Sequence, residues 1–496
     1  MELSRKERHL GIAAIGVRLG ISGFGLCILL IAGCAVGPNY RRPALNPPPV
    51  FRGEMQAATN SFADLPWWQI FHDDTLQELI RIALTNNYDL RVAVSRVEQA
   101  HAVMIETRSQ LLPQINYTGL GITEKNISTS GALFSSATTS GGLNTTTASS
   151  GRTTFYLGDL NTTWEIDLWG RIRRLTESDR AQYFSSIEAR RNVTISLIAQ
   201  VAQDYFQLLA LDRELAIARE TTNSYGDSLK IFDQRLRGGV ASKLETSSAE
   251  ALLYATAATI PDLERQIALQ ENALSYLLGL YPGAIRRDHS RLLNESLPDV
   301  PAGLPSALLE RRPDIREAEQ QLRSANAQVG VAVGNFFPQL TLTGLFGQVS
   351  PTLSAFSGGG VNAWNAAANL TGPIFQGGKL KAQYHQAKAL RDQYVWQYRG
   401  AVLTAFQEVS SSLVAREKYA AERIQQARAV EAYREATKVS LQRYRLGESS
   451  YYEVLQEQQL LFPAENTLVQ IELNQLVTVV QLYLQLGGGW ETGPQP

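Results

Sequence analysis

The chain is written twice, and this constrains its fold more than any other feature. Shifted by 208 residues, Gly170 falls on Gly378, Arg235 and Arg237 on Arg443 and Arg445, and Gly239 on Gly447. Ser242 falls on Ser450, Glu245 on Glu453, and Leu278-Gly279 on Leu486-Gly487. Upstream the shift is 225, where Asp89 meets Asp314 and Pro113-Gln114 meets Pro338-Gln339. The first copy therefore carries about 17 extra residues between Pro113 and Gly170, confined to one place, as a surface loop of variable length would be. The rest should be two copies of one supersecondary unit, a first repeat at 76–280 and a second at 308–487, joined by a linker at 281–307.

Punctuation tells what each copy contains. No proline lies between Gly170 and Pro261, and the composition is rich in helix formers. Ile198, Val201, Tyr205, Leu208 and Leu215 recur at coiled-coil spacing, with Asp212 interrupting the seam so that the stripe partly faces water. A helix is predicted over 171–236, on the order of 100 Å at ~1.5 Å per residue. It stops at Gly238-Gly239, and a return helix follows over 243–279, kinked at Pro261. The second copy repeats this at 379–444 and 451–486, with a break at Gly447. Shorter helices at 76–111 and 308–335 open the copies, and 488–496 is a tail.

Between the opening and long helices the period becomes two. Tyr156, Leu160, Trp164, Ile166 and Leu168 point one way, and Asp159, Asn161, Thr163, Glu165 and Asp167 the other. Each copy thus contributes a hairpin within 115–169 or 340–375, its tip (129–152, 350–360) rich in Ser, Thr and Gly. The polar row, Asp159 to Asp167, reads as wet lumen lining. Four strands cannot close a barrel, and open strand edges are not tolerated in hydrocarbon. Two chains would give eight strands and a nearly filled interior; three would give twelve and leave a lumen. Three is the number adopted here. A soluble sandwich hairpin capped by helices is the blander reading.

The N-terminus weighs against it. Arg5, Lys6 and Arg8 precede an apolar run at 19–31 that is short for a membrane span, as in a signal peptide over 1–33. Leu30-Ile31-Ala32-Gly33-Cys34 resembles the lipobox of bacterial lipoproteins, in which Cys34 becomes the acylated first residue; Ala35 after it favours the outer membrane. The only cysteines are Cys27 and Cys34, so cleavage would leave no thiol for a disulfide. A single lipid anchors reversibly and needs a second membrane element, which a barrel supplies.

Cys34-Ala35-Val36-Gly37-Pro38-Asn39-Tyr40, Trp67-Trp68, Phe71, Asp73-Asp74, the run from Leu309 to Ile315, Arg443-Tyr444-Arg445-Leu446-Gly447 and Leu486-Gly487-Gly488-Gly489-Trp490 follow one another in the order found in the TolC-like outer membrane efflux factors. The resemblance is to their lipid-anchored NodT/OprM branch and spans nearly the whole mature chain. It implies an α+β membrane protein: a homotrimer whose 12-stranded outer-membrane β-barrel continues into a long periplasmic α-helical barrel, with 34–75 in the lipid-anchored and equatorial part. It implies passive, gated export of small molecules expelled by an inner-membrane pump of the resistance-nodulation-division type, joined through a periplasmic adaptor.

By the same resemblance the adaptor docks at the tips, Arg235, Arg237, Gly238 and Gly239 in one turn and Arg443, Arg445, Leu446 and Gly447 in the other. Tyr452, Glu453 and Gln456 fall where family members narrow the entrance; Gln456 departs from the usual aspartate, while three copies of Glu453 would make an anionic ring. No cofactor is expected beyond the lipid on Cys34, and no metal. His9, His72, His101, His289 and His385 are isolated, and neither a zinc pair, a nucleophile elbow nor a phosphate-binding glycine loop occurs, so no enzyme is expected. Forty-six basic against 47 acidic residues give no sign of nucleic-acid binding. A lipid-anchored coiled-coil tether or adhesin is the alternative, but it leaves the alternating strands unexplained.

Overall fold

The computed structural model describes residues 35–52, 61–70, 72–125, 152–287, 303, 305–358 and 360–489. Cys34, the signal segment 1–33, the first hairpin's tip and most of the linker at 281–307 lie outside them. The chain divides into two units, one formed by 1–42, 99–183 and 320–395 and the other by 43–98, 184–319 and 396–496.

The elements run α1 (Asp74–Asn86), α2 (Tyr88–Ser109), β1 (Gln114–Lys125), β2 (Arg152–Ile166), α3 (Arg171–Arg237), α4 (Lys243–Ala257), α5 (Thr259–Leu277), α6 (Pro313–Gly334), β3 (Gln339–Ser350), β4 (Val361–Thr371), α7 (Lys379–Leu446) and α8 (Tyr451–Gln485). Single helical turns at Trp67–Ile70 and Leu308–Arg311 complete the pattern. α3 and α7 have 67 and 68 residues.

The first unit is built on an antiparallel meander in the order β1-β2-β3-β4. Strands that follow one another in the chain lie side by side in the sheet, and the two hairpins are joined by a β2–β3 ladder. Gly347 makes that ladder close: a Cβ there would stand 2.3 Å from the Gly158 carbonyl oxygen and 2.6 Å from Asp159. β2 ends at Ile166 and not at 169, because Asp167 turns to accept from the amides of Ile172 and Arg173 and so caps α3. Residues 36–39 form a strap beside this junction. Val36 donates to the Trp169 carbonyl, and buried Arg174 donates to the carbonyls of Val36 and Gly37 and to Asn39 Oδ1, the last at 2.8 Å. The strap touches α6 through Gly37, whose Cβ would lie 2.5 Å from Gly330 Cα.

The second unit is helical. Leu76, Ile80, Ile198, Val201, Tyr205, Leu208, Leu274 and Leu278 are among its buried side chains. Tyr205 donates to Asp73 at 2.8 Å, and Asp73 in turn caps α1 through the Thr75 and Leu76 amides.

Several expectations need correction here. The opening helix over 76–111 is α1 and α2, broken at Asn87, whose side chain accepts from the Leu90 amide and donates to the Leu277 carbonyl. The opening helix over 308–335 is a turn and α6, parted at Arg312, which reaches Glu408, Asp314 and the Gln485 carbonyl. The return helix over 243–279 breaks at Ala258; Pro261 sits in the first turn of α5, where its missing N–H costs nothing. Asp212 does not face water, since Arg287 covers it and bridges it to Glu271. β1 and β3 run past the expected ends at Ile122 and Gln348, to Lys125 and Ser350.

Candidate conduit surfaces

The register assigns every sheet residue to a face. Tyr117, Leu160, Phe346 and Trp364 are paired across the four strands and share one face, as do Ile166, Leu340 and Leu370. Leu160, Phe346 and Trp364 are 54%, 64% and 76% exposed, so this row is apolar and uncovered. The opposite face carries Asn116, Asn161, Leu345 and Asn365 in one row, and Glu165, Thr341 and Asn369 in another. Asn161 Nδ2 donates to Thr118 at 2.7 Å and to Asp159 at 3.2 Å, and Thr163 lies between Gln114 and Thr343.

The acidic members of the polar row are not free. Arg171 grips both Glu165 oxygens, at 2.8 and 3.0 Å, and Arg173 pairs with Asp167 at 3.3 Å. Asp167 lies beyond the strand and serves the start of α3, so it is a cap and not a lining residue. Sequence reasoning missed Arg171 and Arg173; their position in the first turn after the strand, each six residues beyond its acid, was the available signal.

The two tips are built alike. Gly239 and Gly447 take φ of +74° and +80°, which glycine adopts without the steric cost an L side chain bears. Val240 and Glu448 then donate back to the Arg235 and Arg443 carbonyls, closing each helix the same way. Ser242 with Glu245, and Ser450 with Glu453, form reciprocal capping boxes that start α4 and α8.

The structure brings both turns together. Phe232, Ala249, Tyr444 and Val454 form a buried cluster joining the two hairpin ends, with Leu229, Ile231, Leu441 and Tyr451 packed on it. Phe232 meets the Tyr444 and Tyr451 rings edge-on at 5.1 and 4.8 Å. Arg235 donates to the Tyr444 carbonyl at 2.6 Å and stacks on its ring at 4.4 Å. It is therefore occupied within the chain. Arg237 pairs with Asp233 on its own helix, and Arg443 reaches the Glu448 carbonyl and, at 3.8 Å, Glu453. Arg445, Leu446, Gly238 and Gly447 are exposed.

Glu453 is a capping residue paired with Arg443; Tyr452 and Gln456 near it are exposed. A further polar contact ties one repeat to the other at the tips, beside that of Arg235 with the Tyr444 carbonyl. Tyr444 donates to Glu245 Oε2 at 3.1 Å. Burial above all, with Glu245 close by, pushes the Tyr444 hydroxyl up to about 12, and burial likewise raises Tyr451 to about 12. Glu245 occupies in the first repeat the place of Glu453 in the second, a correspondence visible in the sequence but not used to nominate it.

A sheet apolar on one face and polar on the other, leading into paired long helices that end in matched turns, defines a membrane conduit of the outer-membrane efflux class. The profile of the family described as "Outer membrane efflux protein" matches residues 79–280 and 304–488, and the chain belongs to that family. It is 35% identical over 470 residues to the probable efflux pump outer membrane protein TtgC of Pseudomonas putida, covering 93% of this chain and 94% of the relative. It is 34% identical over 472 residues to the probable outer membrane lipoprotein SilC of Salmonella typhimurium, covering 93% and 97%. The solved open state of the Neisseria gonorrhoeae MtrE outer membrane channel superposes with a TM-score of 0.79 at 30% identity, covering 92% of this chain and 99% of that one. The chain is an efflux channel of the outer membrane.

Proposed function

We propose that three copies close a twelve-stranded barrel by pairing β4 of each with β1 of the next, and that the polar faces line a passive conduit for small molecules. The observation that carries this is the four-stranded meander itself, whose outer strands β1 and β4 each have one unpaired edge among the described residues, beneath an exposed apolar face. An even number of strands leaves β1 and β4 antiparallel, so copies can add edge to edge without a change of ladder type. In hydrocarbon every such edge must be satisfied.

Energy would come from an inner-membrane pump of the resistance-nodulation-division type, through a periplasmic adaptor seated on the tips. The exposed Arg445 and Leu446 support that docking role; Arg235, engaged with Tyr444, acts by holding the tip in shape. A lipid on Cys34 would add a second membrane attachment. Light scattering on the detergent-solubilised protein should give three chains, and reconstitution should give steady conductance in planar bilayers. A folded monomer without conductance would favour the tether reading and overturn this one. Cross-linking in cells, followed by recovery of an adaptor and pump, tests the partners.

A further inference from the structure

We propose that a cleft between α3, α5 and α8 is a binding site for small organic cations, with a protonated amine held by Glu214 and Asn466 and an apolar body resting on Phe462 and Leu263. The cleft is open to one side and has a volume of about 340 Å³, at the lower end of the range of small-ligand sites. It lies where two helices are irregular, at the α4–α5 break and beside Pro463, which stands inside α8.

The lining is one-sided in its chemistry. Glu214 and Asp262 are carboxylates, Thr259 donates its hydroxyl to the Thr256 carbonyl, and no basic side chain contributes to the wall. Asp262, at the rim, is already served by Arg265 and Gln266. Glu214 differs: its hydrogen-bond donor is Gln470, a neutral amide, and burial raises its carboxyl group above the ordinary range. Asn466 Oδ1 is buried with no hydrogen-bond partner. A buried acceptor left unmade is costly, and a carboxylate short of a cation adds the charge that an N–H donor would answer. The apolar half of the wall selects against a hydrated metal ion, and among the described residues no group of His, Cys, Asp or Glu is arranged to hold one. What remains is an ammonium on a hydrophobic body, whose charge lies toward α3 and α8 and whose carbon skeleton covers the aromatic ring.

The test is calorimetric titration of the purified full chain with 2-phenylethylammonium, using 2-phenylethanol as the neutral analogue of similar shape. The amine should saturate one site per chain, the alcohol should bind at least about tenfold more weakly, and Glu214→Gln should weaken the amine by at least about tenfold, the loss expected for one charge-assisted hydrogen bond. The near-isosteric variant should melt at the wild-type temperature without ligand. Equal binding of amine and alcohol, an unchanged affinity in Glu214→Gln, or no saturable binding to the wild type would each overturn the proposal. Because the wild-type comparison needs no variant and no conductance, it stands or falls apart from the channel reading.

Discussion

Tyr444 joins the two halves of the tip with its ring, its hydroxyl and its carbonyl. Replacing it with Phe keeps the ring contacts with Phe232 and Arg235 but removes the donor to Glu245. We expect a loss of about 1 kcal/mol, the net worth of one hydrogen bond, read as faster amide exchange at 238–242 and 446–450. Arg235→Ala should cost about 1–2 kcal/mol by the same measurement, since it forfeits a hydrogen bond and a cation–aromatic contact together. The pH dependence follows from the raised hydroxyls. A Tyr bound more tightly to its proton in the folded state contributes fully below its unfolded value near 10, and that contribution is lost as pH climbs toward the folded value of about 12. The tip should therefore loosen between pH 10 and 12, and Tyr444→Phe should flatten that transition. Far-ultraviolet circular dichroism across this range, compared between the two proteins, checks it.

At the scale of elements, the sheet is most sensitive on its uncovered face. Phe346→Arg places a charge in the row shared with Leu160 and Trp364. If that row meets lipid near mid-membrane, the cost is about 2–4 kcal/mol, and the variant should fail to reach the heat-resistant membrane form on electrophoresis. The hairpins and the long helices could be read from the chain because their periods of 2 and 3.6 are local properties that need no partner. The interruptions could not. Asn87 breaks a helix by bonding to Leu277, 190 residues away, and Arg312 does so by reaching Glu408 and Gln485; no window of sequence contains both ends of such a bond. The candidate site divides the same way. The alternation exposes the polar row, yet the pairing of Glu165 with Arg171 and the capping by Asp167 depend on how the strand turns into α3. Glu453 stood out only through the resemblance to the family's narrowed entrance, while the bond between Tyr444 and Glu245 spans 199 residues and left no local trace.

For the whole molecule, the scarcity of thiols is useful. Only Cys27 and Cys34 occur, both at the N-terminal end, so with these two replaced by serine, single cysteines placed on β1 and β4 would be uniquely reactive. Paired scanning of Gln114 to Thr118 against Val361 to Asn365 and Asn369 to Thr371 should yield cross-linked species of two and three chains and nothing larger. A ladder continuing beyond three would mean an open assembly, and complete absence of links at every register would exclude β4–β1 closure. Lys243 and Tyr451 open the return helices, and Leu277 and Gln485 end them, each pair 208 residues apart. Both hairpins therefore finish flush. A seven-residue insertion into α3 alone would make one stave about 10 Å too long and lift Phe232 off Tyr444, leaving a ragged rim. Matched insertions of that length in both long helices and both return helices would lengthen the pipe and leave its mouth level, so the duplicated chain can change its reach only in paired steps.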